Sequence, residues 1–447
     1  MDQAGRQQNS FAVTHRLVLS IAVPMTLGFV TTPLLGLTGT AVVGRTGSAE
    51  ALAGLAIAAV LFDLIFAAFG FVRASTTALT AQALGRADRV EQQAVFYRSF
   101  LLSIGLGVVV LAASPLILRI GIVLMGAEGR VAEATATYFA IRVLGAPLTL
   151  GNFTLLGSVL GMGRGSIGLA LQILLNGVNI VLSIWLGLWL DFGIAGVAWG
   201  TLAGEAVAFI AGLAYMLFAF RGTPRPKLPV VLSREKLKAL FSINRDIMIR
   251  SLALVAAFTL QTRIGTLFGP ELLAANALLM NFFLIASFFL DGMANAAEQI
   301  TGRAVGARFR IGFERAIRLT AIWSFGLASV CALFFLVLGG TLIDVMTTSE
   351  PVRALARDFL PWAALTALTG ALAFQMDGVF IGATWSREMR NMMLVALAGY
   401  CAALALFAPT LGNHGLWLAL NVFLALRGLT LAAILPRKLA QTFTASQ

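Results

Sequence analysis

The chain has 447 residues, 59% hydrophobic and 12% charged, with a formal net charge of +12 and a mean hydropathy of +0.90. Soluble domains carry about a quarter charged residues, so this composition excludes a water-exposed globular fold and makes lipid the solvent for much of the surface. The positive balance does not mark a nucleic-acid binder, because the basic residues are scattered between apolar stretches rather than gathered on one soluble module.

Crossing a bilayer as a helix takes about 20 apolar residues. Charge-poor stretches near that length fall at 17–43, 50–72, 94–118, 135–160, 166–190 and 194–219, and again at 246–268, 272–300, 316–343, 355–382, 391–411 and 415–435. The sequence therefore predicts an all-α integral membrane protein of twelve transmembrane helices. The first stretch is too long for the apolar region of a cleavable signal and carries Pro24 and Pro33, so it reads as a retained helix. With the N-terminus in the cytoplasm, inner ends and loops hold Arg6, Arg16, Arg86, Arg89, Arg98, Arg164, the groups at 221–250 and 303–318, Arg387, Arg390, Arg427, Arg437 and all four lysines. Outer ends hold only Arg45, Arg119, Arg130, Arg353 and Arg357. Lys and Arg favour the cytoplasmic side of membrane proteins, so both termini are expected there, in a multi-pass protein of the cytoplasmic (inner) membrane.

Cys331 and Cys401 each stand alone in an apolar segment, and His15 and His414 lie at helix ends. Neither spacing suits a metal site or a nucleophile with its base, so no cofactor, metal or enzymatic activity is expected.

The chain repeats itself. Residues 80–89, TAQALGRADR, and 301–310, TGRAVGARFR, share T-x-x-A-[LV]-G-x-x-x-R at an offset of 221. GSVLG at 157–161 meets GVFIG at 378–382, and ALAGLA at 51–56 meets LLAANA at 272–277, in the same register. Six spans per repeat is an even number, so the copies enter the membrane from one side, related by a pseudo-two-fold along its normal. Two six-helix bundles follow: a lobe at 1–219, a cytoplasmic linker at 220–241 with three of the twelve prolines, and a lobe at 242–447.

Ionisable groups at mid-helix are costly in lipid and by default face protein or a water-filled cavity. Here these are Asp63, Arg142, Glu205, Arg263, Asp291, Glu298 and Asp377. Asp291, Asn295 and Glu298 share one helical face at i, i+4, i+7, a set able to bind a cation or hold a proton. Asp377 follows Gln375, has no basic residue within a turn of its own helix, and precedes Gly378 and Gly382, which permit close helix approach. Gln172, Asn176, Asn179 and Ser183 form one polar stripe, suited to a cavity wall or to interhelical hydrogen bonding. Pro33, with Gly36 and Gly39 after it, marks a hinge in the first helix.

PLLGLTGTAVVG, FVRASTTALTAQALG, NRDIMIRSLAL, FFLDGMANAAEQITGRAVGA, FQMDGVFIGAT and GLWLAL followed by LRGL together resemble the multidrug and toxic compound extrusion (MATE) transporters of the DinF-type branch, over essentially the whole chain. The resemblance implies alternating access between two bundles and export of organic, often cationic or amphipathic, compounds against protons or sodium. It implies a cation-coupling role for Asp377 and ion-site contributions from Asn179 and Thr201. Two departures stand out: Gly39 occupies the place of the family's first-helix aspartate in L-x-D-T-A, and Ser183 that of an acid in the fifth helix. The resemblance alone thus leaves the first lobe without its usual carboxylates; either Asp63 in the second helix substitutes for them or, the preferred reading, coupling rests on the second lobe with Asp377. An alternative within the superfamily, a flippase for lipid-linked intermediates, calls for an Arg- and Lys-rich cleft, whereas segment centres offer only Arg142 and Arg263. The expected partners are small organic substrates, a proton or sodium ion and the bilayer, for a chain acting as a monomer.

Overall fold

A computed structural model describes residues 11–444, so Arg6 and the outermost ends of the two expected lobes lie outside the described residues. Twelve helical spans long and apolar enough to cross a membrane account for most of it, with no strand among the described residues. We label them α1 (His15–Arg45), α2 (Ala49–Gly85), α3 (Arg89–Met125), α4 (Gly129–Gly161), α5 (Gly165–Trp189), α6 (Gly193–Ala219), α7 (Leu228–Phe268), α8 (Pro270–Gly306), α9 (Arg310–Met346), α10 (Glu350–Gly382), α11 (Ser386–Leu411) and α12 (Asn413–Phe443). Large side chains such as Leu37, Val109, Val123 and Val337 stand exposed on them, as a lipid-facing surface requires.

Most spans overrun the apolar windows. Beyond residue 72, α2 continues through a Thr- and Ala-rich turn set, 71–85, whose Arg73 and threonines lower hydropathy without opposing helix. The helix stops where backbone geometry changes hand: Ala87 has φ +56 and Asp88 N donates to Ala83 O at 3.0 Å, while the Asp88 side chain caps α3. That i to i−5 bond closes a helix C-terminus around a left-handed residue. The same closure recurs 221 residues later, with Arg308 at φ +51 and Phe309 N bonded to Ala304 O. A second pair follows the same offset, Arg164 N to Val159 O around Gly163 and Trp385 N to Phe380 O around Thr384.

Prolines break two spans. Pro33 supplies no N–H to the turn before it, and α1 is interrupted at Thr31, between helices His15–Val30 and Thr32–Arg45. Pro147 does the same in α4, leaving a 3₁₀ turn at Val143–Gly145 directly after Arg142.

The chain divides into two compact units. The first is Leu27–Leu84 with Asp88–Leu240; the second joins the described residues of Met1–Thr26 to Gly85–Ala87 and to those of Phe241–Gln447. These borders depart from 1–219, 220–241 and 242–447 for two physical reasons. The start of α1 buries Val13, Val18, Ile21 and Ala22 against Met293, Ala296 and Ile300 of α8, within the second unit. The linker is held to the first unit, where buried Arg98 donates to the carbonyls of Val231 and Val230, and Glu91 pairs with both Arg98 and Lys236.

Each unit has its own aromatic core. In the first, Phe62 stacks on Phe139 at 4.9 Å. In the second, Phe282 meets Phe335 edge-on at 5.0 Å, and the buried Tyr400 hydroxyl donates to Gln261 Oε1 at 2.7 Å. The paired glycines do parallel work in the two units. A Cβ on Gly157 would stand 2.6 Å from Arg73 O and one on Gly161 2.6 Å from Thr77 O; on Gly378 and Gly382 it would meet Ala294 O and Glu298 O, both at 2.2 Å. Arg73 and Ala294, like Thr77 and Glu298, are 221 residues apart, so the α2–α4 and α8–α10 crossings are one contact built twice.

Candidate functional site

In the first unit the site is organised by α5 and α6. Gly196, Gly200 and Gly204 lie on one face of α6 and leave no room for a side chain: added Cβ atoms would stand 2.6 Å from Gly187 N, 2.5 Å from Ser183 Oγ and 2.7 Å from Leu175 O. This close approach lets the polar stripe of α5 bond across helices. Asn179 Nδ2 donates to Thr201 Oγ1 at 3.2 Å and Ser183 Oγ to Asn179 Oδ1 at 3.1 Å, all three buried. Further along, Gln172 Nε2 donates to Asn176 Oδ1 at 3.2 Å, and Asn176 Nδ2 to Thr31 Oγ1 at 2.6 Å, at the break in α1.

A cavity of about 280 Å³ opens beside this ladder. Gln172 is the one member of the stripe on its wall; Asn176, Asn179, Ser183 and Thr201 are instead engaged in helix-to-helix bonding. Gly39 is absent from the wall too, buried with its vacant Cβ position 3.3 Å from Val197. Asp63, the sequence's substitute for the missing first-helix acid, lies on the exposed side of α2 and does not line the cavity.

The carboxylate that does line it is Glu205, one turn beyond Thr201 on α6 and 5% exposed. Thr149 Oγ1 donates to its Oε2 at 2.6 Å, Asn152 Nδ2 donates to its backbone carbonyl at 2.9 Å, and Arg73 completes the charged part of the wall. The guanidinium of Arg142 acts electrostatically on both Glu205 and Asp63. It makes no ion pair among the described residues and stacks 4.4 Å above the Phe62 ring. Sequence reasoning counted Glu205 among the mid-helix ionisable groups without giving it a role. The signal available was the glycine spacing at 196, 200 and 204, which fixes the turn that carries it.

The second unit holds a different arrangement. Asp377 is 5% exposed, and its neighbourhood contradicts the expectation of a carboxylate with no basic neighbour. Arg427 of α12 donates to Asp377 Oδ2 at 2.7 Å, and Arg250 of α7 bonds to the same oxygen. Both partners come from other helices, which the spacing along α10 cannot display. Asp291 of α8 also acts electrostatically on Arg427. The Asn295 amide donates to the Asp291 backbone carbonyl one turn back, at 2.7 Å. Glu298 is buried where α8 meets Gly382, and Gln375 Nε2 is bonded to Thr320 Oγ1 and Ile317 O. Arg263 is exposed near the end of α7. Among the described residues no group of three or more His, Cys, Asp or Glu is placed to hold a metal ion.

Comparison with known proteins agrees with this framework. The MatE family description matches residues 24–185 and again 247–406, the two matches ending 221 residues apart. DNA damage-inducible protein F of Escherichia coli (strain K12) is 36% identical over 416 residues, covering 93% of this chain and 90% of that one. The probable multidrug resistance protein NorM of Deinococcus radiodurans is 27% identical over 442 residues, covering 93% and 94%. Among solved structures, a MATE protein in a bent conformation superposes with a TM-score of 0.89 at 20% identity over the full length of both chains. A MOP superfamily transporter from Pyrococcus furiosus Vc1 gives 0.87 at 19%, covering 99% of each chain. A family match over most of the chain and a relative at this identity settle the assignment: the protein is a twelve-helix, multi-pass member of the MatE family of membrane transporters, and not an enzyme.

Proposed function

We propose that the protein is a secondary active exporter that moves organic cationic or amphipathic compounds out across the cytoplasmic membrane in exchange for protons or sodium, by alternating access, with both termini inside. The observation that carries this reading is the cavity of the first unit. Its wall is mainly apolar, with Phe29, Leu35, Phe153 and Leu171, and bears one carboxylate, Glu205, and one guanidinium, Arg73. A compound with a hydrophobic body and a positive charge finds both complements there, as small-molecule sites commonly provide. The multidrug resistance named for relatives supports the same cargo class. In the second unit Arg250 and Arg427 are both engaged by Asp377 rather than presented as a pair for a pyrophosphate-bearing lipid.

The test is transport in proteoliposomes with the membrane potential clamped. Tetraphenylphosphonium should accumulate against its own gradient when a pH or sodium gradient is imposed, and stop when that gradient is collapsed. Equal flux with and without both gradients would remove the coupled-exporter reading.

A further inference from the structure

We propose that Glu205 is the proton-exchanging carboxylate of the first unit, performing there the task that Gly39 and Ser183 cannot; this rests on the exporter reading above.

The argument is geometric. Glu205 is anchored through one carboxylate oxygen and its side chain lines a cavity. Thr149 anchors Oε2 at 2.6 Å, Asn152 holds the backbone carbonyl, and Gly204 seats the preceding residue against Leu175 O. Oε1 accepts no hydrogen bond from any described residue and belongs to a side chain on the cavity wall. A space of about 280 Å³ admits several waters, each needing roughly 30 Å³ of liquid volume, so a proton has a route to and from this oxygen.

The surrounding charges allow both states. From the helices packed against α6, Arg73 of α2 lies on the same cavity wall as Glu205, and Arg142 of α4 acts electrostatically on both Glu205 and Asp63 of α2. The second half of α1 and α5 bring neutral groups to the cavity, Thr32, Gln172 and Leu175 among them. Arg142 pairs with neither acid within 4.0 Å, so no salt bridge has to break for Glu205 to change charge.

The exchange is a simple proton transfer. The carboxyl O–H bond of Glu205 breaks, the proton passes to cavity water and then to bulk, and the electron pair stays on the carboxylate, which keeps its bond from Thr149. A cationic compound then meets the Glu205 carboxylate on the wall; when a proton returns to Glu205 that attraction ends. Gln172, on the same wall, is bonded through Asn176 to Thr31 at the break of α1, so the charge change occurs beside the one interrupted point of that span.

The experiment combines infrared difference spectra on acidification with proton release on adding tetraphenylphosphonium to reconstituted protein at fixed pH. Wild type should show a protonated-carboxyl band and release protons. Glu205→Gln should lose that band and fall to the background of empty liposomes in proton release, at an unchanged melting temperature. Glu205→Asp should restore release with a displaced pH midpoint, and Asp63→Asn should keep both signals. A purely packing role predicts no difference between the Gln and Asp variants. A Glu205→Gln protein indistinguishable from wild type in a proton-coupled assay overturns this inference alone, whereas a wild type that moves tetraphenylphosphonium on no gradient overturns the exporter reading.

Discussion

At the scale of single residues, Asp377 shows what a one-dimensional reading misses. Along its own helix it has no cationic neighbour, yet Arg250 and Arg427, distant by 127 and 50 residues, share its Oδ2. A proton or cation reaching that oxygen meets two guanidiniums already in place, so the structure favours a post that holds α7, α10 and α12 together. Breaking a buried charge pair by removing one partner costs about 3–5 kcal/mol, because the remaining charge stays buried without compensation. Asp377→Asn should therefore lower the melting temperature of the purified protein more than Arg250→Met, since Arg427, at 2% side-chain exposure, is the partner left stranded, against 15% for Arg250. If Asp377→Asn melts like wild type and loses only gradient-driven transport, Asp377 titrates after all and the post is wrong. Glu205 was visible in the sequence as an acid within a span. What singled it out, a place on the wall of a cavity formed by α1, α2, α4, α5 and α6, exists only once the helices are packed.

At the scale of elements, the glycine crossings are the firmest link between sequence and packing. The spacing of Gly378 and Gly382 already implied close approach, and the same offset brought Gly157 and Gly161 into register with them; the backbone contacts of all four follow that register. Overfilling a tight contact costs about 1–3 kcal/mol or more. Gly161→Leu and Gly382→Leu should each reduce thermal stability markedly and by similar amounts, while Gly105→Ala and Gly177→Ala, which meet nothing within 4 Å, should be neutral or slightly stabilising. Equal melting of all four variants would disconnect the repeat from the packing. The glycine ladder of α6 was legible too, but three glycines among apolar residues have no chemistry of their own, and their meaning depends on which helix lies opposite. Span ends were the least legible feature, because a Thr-rich segment such as 71–85 loses hydropathy long before it loses helix.

At the scale of the whole molecule, composition and span counting were enough for the class of fold, since twelve apolar segments admit few soluble alternatives and backbone groups in lipid must be satisfied within each helix. The cytoplasmic orientation proposed for the termini rests on the distribution of Arg and Lys and is open to direct measurement. In a background with Cys331 and Cys401 replaced, Ser48→Cys should react with an impermeant maleimide from outside intact cells and Ser233→Cys only after permeabilisation; the reverse pattern would invert the chain. What the sequence could not display is that α1 serves two masters, its first part packed with the second unit and the rest with the first. That division has a consequence for biosynthesis. Ala22 lies against the Gly292 turn through its carbonyl, so the start of α1, once it leaves the ribosome, waits for a partner about 270 residues away. At about 5–20 residues per second, that is a delay on the order of ten seconds to a minute, during which the half-made protein holds an unmatched helical end in the bilayer and depends on the insertion machinery, or on lipid itself, to keep it covered.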